Sequence, residues 1–288
     1  MVPDRIEWPT VGVALAIAGG FGAVLVVHDQ LPAVTTITLL AVLGAWYNSL
    51  QHEVIHGHPT PWRTVNTALA AAPLGLAVPF GLYRDIHLAH HRSSDLTDPR
   101  LDPESFHVTP EAWARAGRAH RVLLLALRTL AGRMVLGPLV AAGRWARTGI
   151  AAMRTPAGLA REVGHIGAIV VMAVVLRAVG LPLWIYVVGT AWGGGALSMM
   201  RSFAEHRLVE EGTRSAVVRS GPFFSVLYLN NNLHHTHHER PGLPWFALPA
   251  AHLELESDQV ADDGAGLYAG YGDVARRFLV RPFGTPVR

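Results

Sequence analysis

Hydrophobic and polar positions divide the chain into long apolar runs and shorter mixed segments. Four runs, residues 9–27, 32–56, 163–179 and 182–201, carry little charge. Each is close to the ~20 residues that cross a bilayer as a helix. The first two are joined by the short stretch HDQLP and the last two by RAVGLP, so each pair reads as a helical hairpin. This pattern predicts an all-α integral membrane protein with four transmembrane helices.

A fifth apolar stretch, 65–83, does not fit a simple count. Pro73 and Pro79 interrupt any continuous helix through it, and it is expected to be re-entrant or to lie in the membrane plane. Between 111 and 160, arginine and apolar residues mix at helical spacing, the pattern of one or two amphipathic helices at the membrane surface. Residues 253–288 turn acidic and then basic, and read as a cytoplasmic C-terminal tail behind a membrane domain of residues 1–252. The chain shows no internal repeat and no second catalytic domain. Near the N-terminus stand one arginine, Arg5, and no small-residue cleavage site, so the first run is expected to be a retained span.

Composition sharpens the picture. Half of the 288 residues are hydrophobic and 16% are charged, against about 25% in soluble domains. Mean hydropathy is +0.27. All 24 basic residues are arginine: twelve lie from Arg84 to Arg161 and nine from Arg201 onward, and the hairpin turns hold only Arg177. By the positive-inside rule both termini and the long middle segment are cytoplasmic. A pI near 9.7 with a net charge of only +3 fits that membrane bias and no nucleic-acid partner. With no cysteine, the chain offers no disulfide, no thiolate haem ligand and no Cys-bound iron–sulfur cluster.

Sixteen histidines are many for this length, and nine fall in four places. His52 and His56 form H-x3-H at the end of the second run. His87, His90 and His91 form H-x2-H-H, and His234, His237 and His238 repeat it; His206 follows the fourth run. Spacings of three and four put each group on one helical face. A helix over 32–56 is about 37 Å long at 1.5 Å per residue, against ~30 Å of hydrocarbon, so His52 and His56 project from its cytoplasmic end. The fourth run carries His206 out on the same side. All nine are thus expected in a helical cap at the cytoplasmic face.

His52-Glu53-Val54-Ile55-His56 also matches H-E-x-x-H, the zinc signature of metalloproteases, with the glutamate as general base. One zinc takes three or four protein ligands, so that reading leaves the other boxes idle. Nine histidines suit two metals with four or five ligands each. Imidazole binds iron, copper, nickel and zinc alike, and spacing leaves the metal open.

The segments HEVIHGHPT, HLAHH followed by LTDPRLDPES, RSFAEHR and NNNLHHTHHERPGLPWFALP lie in this order, over about 48 to 248. This set resembles the histidine boxes of the membrane fatty acid desaturase superfamily, which also holds alkane, sterol and carotenoid hydroxylases and ketolases. The last segment is most similar to the bacterial fatty acid desaturase-like branch. The resemblance implies a di-iron centre on His52, His56, His87, His90, His91, His206, His234, His237 and His238, with O2 as co-substrate. It implies a lipid substrate entering from the bilayer of a bacterial inner membrane, and insertion of a double bond into an acyl chain. The alternative within the superfamily is hydroxylation or ketolation of an acyl chain, terpenoid or carotenoid, because both outcomes follow one hydrogen abstraction. The chain has no flavin or nicotinamide fingerprint, so electrons are expected from a ferredoxin or a cytochrome b5-like carrier docking on the arginine-rich face.

Several neighbours of the boxes are candidates for orienting them. Glu53, Asp85 and Glu205 adjoin the histidines and can accept imidazole N–H bonds; solvated charge is the alternative. Asn48 stands four residues before His52 and can bond either to it or to another helix. Asn230 and Asn231 precede His234 by four and three residues, where they can orient a ligand, hold a metal-bound water or cap a helix. His58 and His235 fall off the box faces and read as local hydrogen-bonding residues, with ligation in place of a box histidine as the alternative. Asp98 and Asp102 precede prolines and read first as turn residues, with site closure as the alternative. The stretch GTAWGGG lies inside an apolar run, so its small residues point to close helix packing. His28, His107, His120, His165 and His252 stand alone, and no chemistry is assigned to them.

Overall fold

The computed structural model describes residues 3–76 and 78–288 and is mostly helical. The chain forms two compact units: Met1–Arg84 with Pro138–Ser198, and Asp85–Gly137 with Met199–Arg288.

In the first unit α1 (Trp8–Val27) and α2 (Ala33–Ile55) are joined by a short 3-10 turn. α3 (Arg63–Ala71) follows. The helix stops there and α4 (Phe80–His91) begins after Pro79, as the two prolines predict; Ala77, inside this stretch, lies outside the described residues. The amphipathic stretch after 110 divides into α5 (Pro110–Arg115), α6 (Arg118–Ala126) and α7 (Leu130–Ala152), more pieces than expected. Gly117 and Thr129 punctuate it: Gly117 is the N-cap of α6, and the Thr129 hydroxyl accepts from Gly132 N at 3.1 Å.

The third apolar run begins earlier than hydropathy indicated. α8 spans Pro156–Ala178, opened by Thr155, whose hydroxyl accepts from Gly158 N at 3.1 Å, and by Pro156 in the first turn. Its first two turns contain Arg161 and Glu162, which pair at 3.2 Å; their charge hid those turns from an apolar count. α9 (Leu183–Tyr186) continues through a π-helical stretch, Val187–Gly194, into α10 (Gly195–Glu205). Among the described residues four helices are long and apolar enough to span: Trp8–Gln30, Ala33–Ile55, Pro156–Ala178 and Leu183–Glu205. They turn large apolar side chains outward, among them Leu15, Val26, Ile166, Val171 and Val174. Such a face suits lipid and not water, and the chain is an all-α membrane protein.

The glycines of the π-helical stretch do pack against α2. A Cβ on Gly194 would lie 3.0 Å from the Gly44 carbonyl carbon, and one on Gly189 would lie 2.6 Å from Leu40 Cβ. Asn48 Nδ2 donates to Ser198 Oγ at 3.0 Å, the helix–helix alternative of its two readings. The Tyr47 hydroxyl donates to Ala72 O at 2.6 Å and Gln51 to Ala70 O at 2.8 Å. The last turns of α2, which carry His52 and His56, are therefore fixed on two sides.

In the second unit β1 (Val217–Val218) pairs in parallel with β2 (Leu267–Tyr268). Around them lie α11 (Pro222–Leu227), α12 (His234–Glu239), α13 (Leu248–Glu254), α14 (Ser257–Asp262) and α15 (Tyr271–Phe278). Residues 253–288, set apart by composition as a tail, supply β2, α14 and α15 of this unit. Phe283 lies against Phe203 with the rings tilted by 42° and centroids 5.1 Å apart, and Arg288 reaches Asp95 at 2.5 Å.

Candidate metal centre

In the first unit His52, near the end of α2, and His56, at its C-cap, stand one turn apart with ring centroids at 5.0 Å. His52 and Glu53 are buried.

The second unit holds the other seven histidines of the boxes. α4 brings His87, His90 and His91, His206 follows α10, and α12 brings His234, His237 and His238. They sort into two groups. His90, His206, His234 and His238 each offer one nitrogen, and these nitrogens all lie within 4.8 Å of one another. His91 Nε2 lies 3.0 Å from His87 Nε2 and 3.1 Å from His237 Nε2. Each H-x2-H-H box is thus divided. The i,i+4 pair His87/His91 joins His237, whereas His90, between them in sequence, faces His206 and the i,i+4 pair His234/His238.

What the opposite ring nitrogens do defines the chemistry. His90 Nδ1 donates to Asp102 Oδ1 at 2.7 Å and His87 Nδ1 to Glu104 Oε1 at 3.0 Å. His206 Nδ1 faces Arg214 O at 3.3 Å and His234 Nδ1 faces Asn231 Oδ1 at 3.2 Å. These partners accept, so each Nδ1 carries a proton and a neutral ring presents its lone pair at Nε2. Yet His206 Nε2 lies 3.0 Å from both His90 Nε2 and His234 Nε2. Lone pairs facing at that distance repel unless a cation stands among them. His238 Nε2 is buried with no hydrogen-bond partner among the described residues, as a ligand atom would be. This donor set fits a metal ion.

Protonation agrees. Burial, with the neighbouring His87 and His90, pushes His91 down to about 3. Burial and His90 do the same to His206, down to about 3. His234 and His238 also lie well below the ordinary imidazole value, through burial first and the crowding of other histidines second. All four are neutral, the form that binds metal. His90 goes the other way: burial opposes its charge, but Glu104 and Asp102 outweigh burial and raise it to about 9. A cation therefore belongs at this spot, either a proton on His90 or a metal ion.

Of the flanking candidates, Glu205 and Asn231 face this site. Asn231 Nδ2 donates to Glu205 Oε1 at 3.3 Å, and Glu205 pairs with Arg201 at 2.9 Å and lies 3.5 Å from His234 Nδ1. Asn230 instead donates to Trp245 O at 2.9 Å, at a positive φ of 55°. Asp85 is exposed. His58 pairs with Glu7 at 2.8 Å, and His235 Nδ1 lies 3.0 Å from Ser257 Oγ; both take the local role expected of them. Asp102, read first as a turn residue, holds His90 as well as the backbone N–H groups of Thr97 and Glu104. Glu104 was missed altogether; its signal was an acidic, proline-rich segment shortly after the second histidine box.

The family model for fatty acid desaturases matches residues 29–270 of the chain. No curated protein matches it.

Proposed function

The chain belongs to the fatty acid desaturase family, and we propose that it inserts a double bond into a lipid acyl chain with two iron ions held by nine histidines. Membership makes it a desaturase-like, oxygen-dependent oxidoreductase of a lipid substrate at the membrane. In the proposed reaction CH2–CH2, O2, two electrons and two protons give CH=CH and two waters. His87, His91 and His237 would help to hold one iron and His90, His206, His234 and His238 the other, with His52 and His56 completing the nine.

The observation that carries this reading is the convergence of the His90, His206 and His234 Nε2 atoms at 3.0 Å, with each Nδ1 turned to an acceptor. Bound iron supplies the redox chemistry, reduction of O2 and removal of hydrogen from an unactivated C–H bond, for which redox-inert zinc is unsuited. The protein's own residues orient and insulate. Asp102 and Glu104 keep the His90 and His87 protons on Nδ1, Asn231 does so for His234, and burial keeps water from the nitrogens.

Without cysteine or a nucleotide fingerprint, electrons come from a separate ferredoxin or cytochrome b5-like carrier. The arginine distribution supports a cytoplasmic side for both termini and the metal centre, and the membrane proposed is a bacterial inner membrane.

Metal analysis of protein purified in detergent from iron-replete cells, followed by gas chromatography of cell lipids, tests the reading. The expected result is about two irons per chain, lost in the double variant His90→Ala/His237→Ala, and an O2-dependent alkene product. An alcohol or ketone would shift the reaction to the hydroxylase branch. About one zinc, negligible iron and harmless substitutions would overturn the di-iron reading.

A further inference from the structure

α12 has only six residues, and one face of it carries His234, His237 and His238. A helix this short does not hold itself in water, so its orientation is set by what lies behind it. There, on the side away from the other box histidines, His235 and Thr236 enter a buried polar chain. The Thr236 hydroxyl, fully buried, donates to Ser257 Oγ at 2.9 Å and lies 2.9 Å from His252 Nδ1. His252 Nε2 faces Asp258 Oδ1 at 3.1 Å, and His235 Nδ1 faces Ser257 Oγ at 3.0 Å. Arg219 closes the chain at the surface, donating to Asp258 Oδ2 at 2.9 and 2.5 Å.

Apolar side chains of the same volume would fill this space without the desolvation cost of buried hydroxyls and imidazoles. A satisfied polar chain adds direction: it accepts one rotational setting of α12 and penalises the others. Direction matters here because an imidazole nitrogen stands roughly 5–6 Å from its helix axis. A rotation of about 10° moves it about 1 Å, against a tolerance of ~0.2 Å in metal–nitrogen distances.

We propose that Thr236, Ser257, His252 and Asp258 form a clamp that sets the rotation of α12, and that they are positioning residues for the metal-binding face. The proposal rests on the reading of His234, His237 and His238 as iron ligands. None of the four residues carries a ligand role, and two of them, Ser257 and Asp258, lie on α14, within the stretch that composition set apart as a tail.

The test compares the full-length native protein with Thr236→Val, which keeps the shape and removes the hydroxyl, and with Thr236→Ser, which restores it. Asp258→Asn, at the partly exposed end of the chain, serves if Thr236→Val does not fold. Amide hydrogen exchange over residues 234–240 is measured on chelator-stripped protein, and iron release to a chelator on loaded protein. Thr236→Val should exchange faster over α12 but not over α15, and should release iron about tenfold faster; Thr236→Ser should match the native protein in both. Native-like exchange and release in Thr236→Val would overturn the clamp. If the native chain purifies without iron while Thr236→Val still loosens α12, the clamp stands and the iron reading falls. If exchange over α12 does not change, the clamp falls whatever the iron content.

Discussion

Replacing Asp102 by asparagine isolates the group that holds the His90 proton. Asp102 is buried and accepts three bonds: His90 Nδ1–H and Glu104 N–H on one oxygen, Thr97 N–H on the other, at 2.7, 2.9 and 2.8 Å. An asparagine keeping its carbonyl toward His90 must point its NH2 at the Thr97 N–H. That leaves a buried donor facing a donor, at a cost of about 1–3 kcal/mol. It also removes a negative charge beside His90. In the metal-free protein His90 is raised from 6.5 to about 9 against the pull of burial, through Glu104 and Asp102.

The sign follows from linkage. A raised folded-state value means stability fully present below pH 6.5 and lost as pH rises through about 9. At about 1.4 kcal/mol per pH unit this amounts to about 3 kcal/mol. The assay is thermal unfolding of the chelator-stripped protein in detergent between pH 6 and pH 9.5. The native protein should lose stability across that window, and Asp102→Asn should start lower and lose less. His58, also raised, is common to both proteins and cancels in their difference. Parallel pH profiles for the two proteins would refute the role of Asp102, as would equal iron retention, since loss of such a partner weakens metal binding about 10–100-fold.

Three further outcomes are expected. Acidifying the metal-free protein from pH 6.5 toward 3 should destabilise it by about 1.4 kcal/mol per pH unit for each of His91 and His206, which burial holds down to about 3; a flat thermal midpoint across that range contradicts their burial as neutral groups. Gly194→Val should cost about 1–3 kcal/mol, because the new Cβ meets the backbone of Gly44 and Ala45 at 3.0–3.1 Å, while Gly19→Ala, with nothing within 4 Å, should leave the detergent melting point unchanged. Glu7→Gln should destabilise most below pH 6.5 and progressively less as pH rises, because Glu7 overcomes burial to raise the His58 value; a pH-independent difference would show that the pair does not titrate.

The spans, and the gathering of histidines at spacings of three and four on shared helices, were legible because their signals are local. Apolar runs of membrane length need no partner to be recognised, and spacings of three and four define helical faces by geometry alone. Glu205 and Asn231 were legible for the same reason, standing one and three residues from a box histidine. Asp102 and Glu104 were not, because they reach His90 and His87 across 12 and 17 residues of irregular chain, where no period links the partners. The start of α8 was obscured by a charge pair that is satisfied internally. The C-terminal segment looked like a tail because β2 is two residues long and its partner β1 lies 50 positions upstream. Composition cannot register a pairing of that kind.

The division of the two H-x2-H-H boxes bears on how many metals the centre takes. With one ion, each box would direct its three nitrogens to one point. Instead the pair His87/His91 and the single His90 diverge, and on α12 the assignment is reversed, with the pair His234/His238 meeting His90 and the single His237 meeting His91. Each short helix thus contributes to both groups, two ligands to one and one to the other. Neither helix can rotate to improve one group without spoiling the second. Such an exchange is costly to build for a single zinc, which three or four ligands satisfy. It is what two adjacent ions require if their separation is to be fixed by the protein.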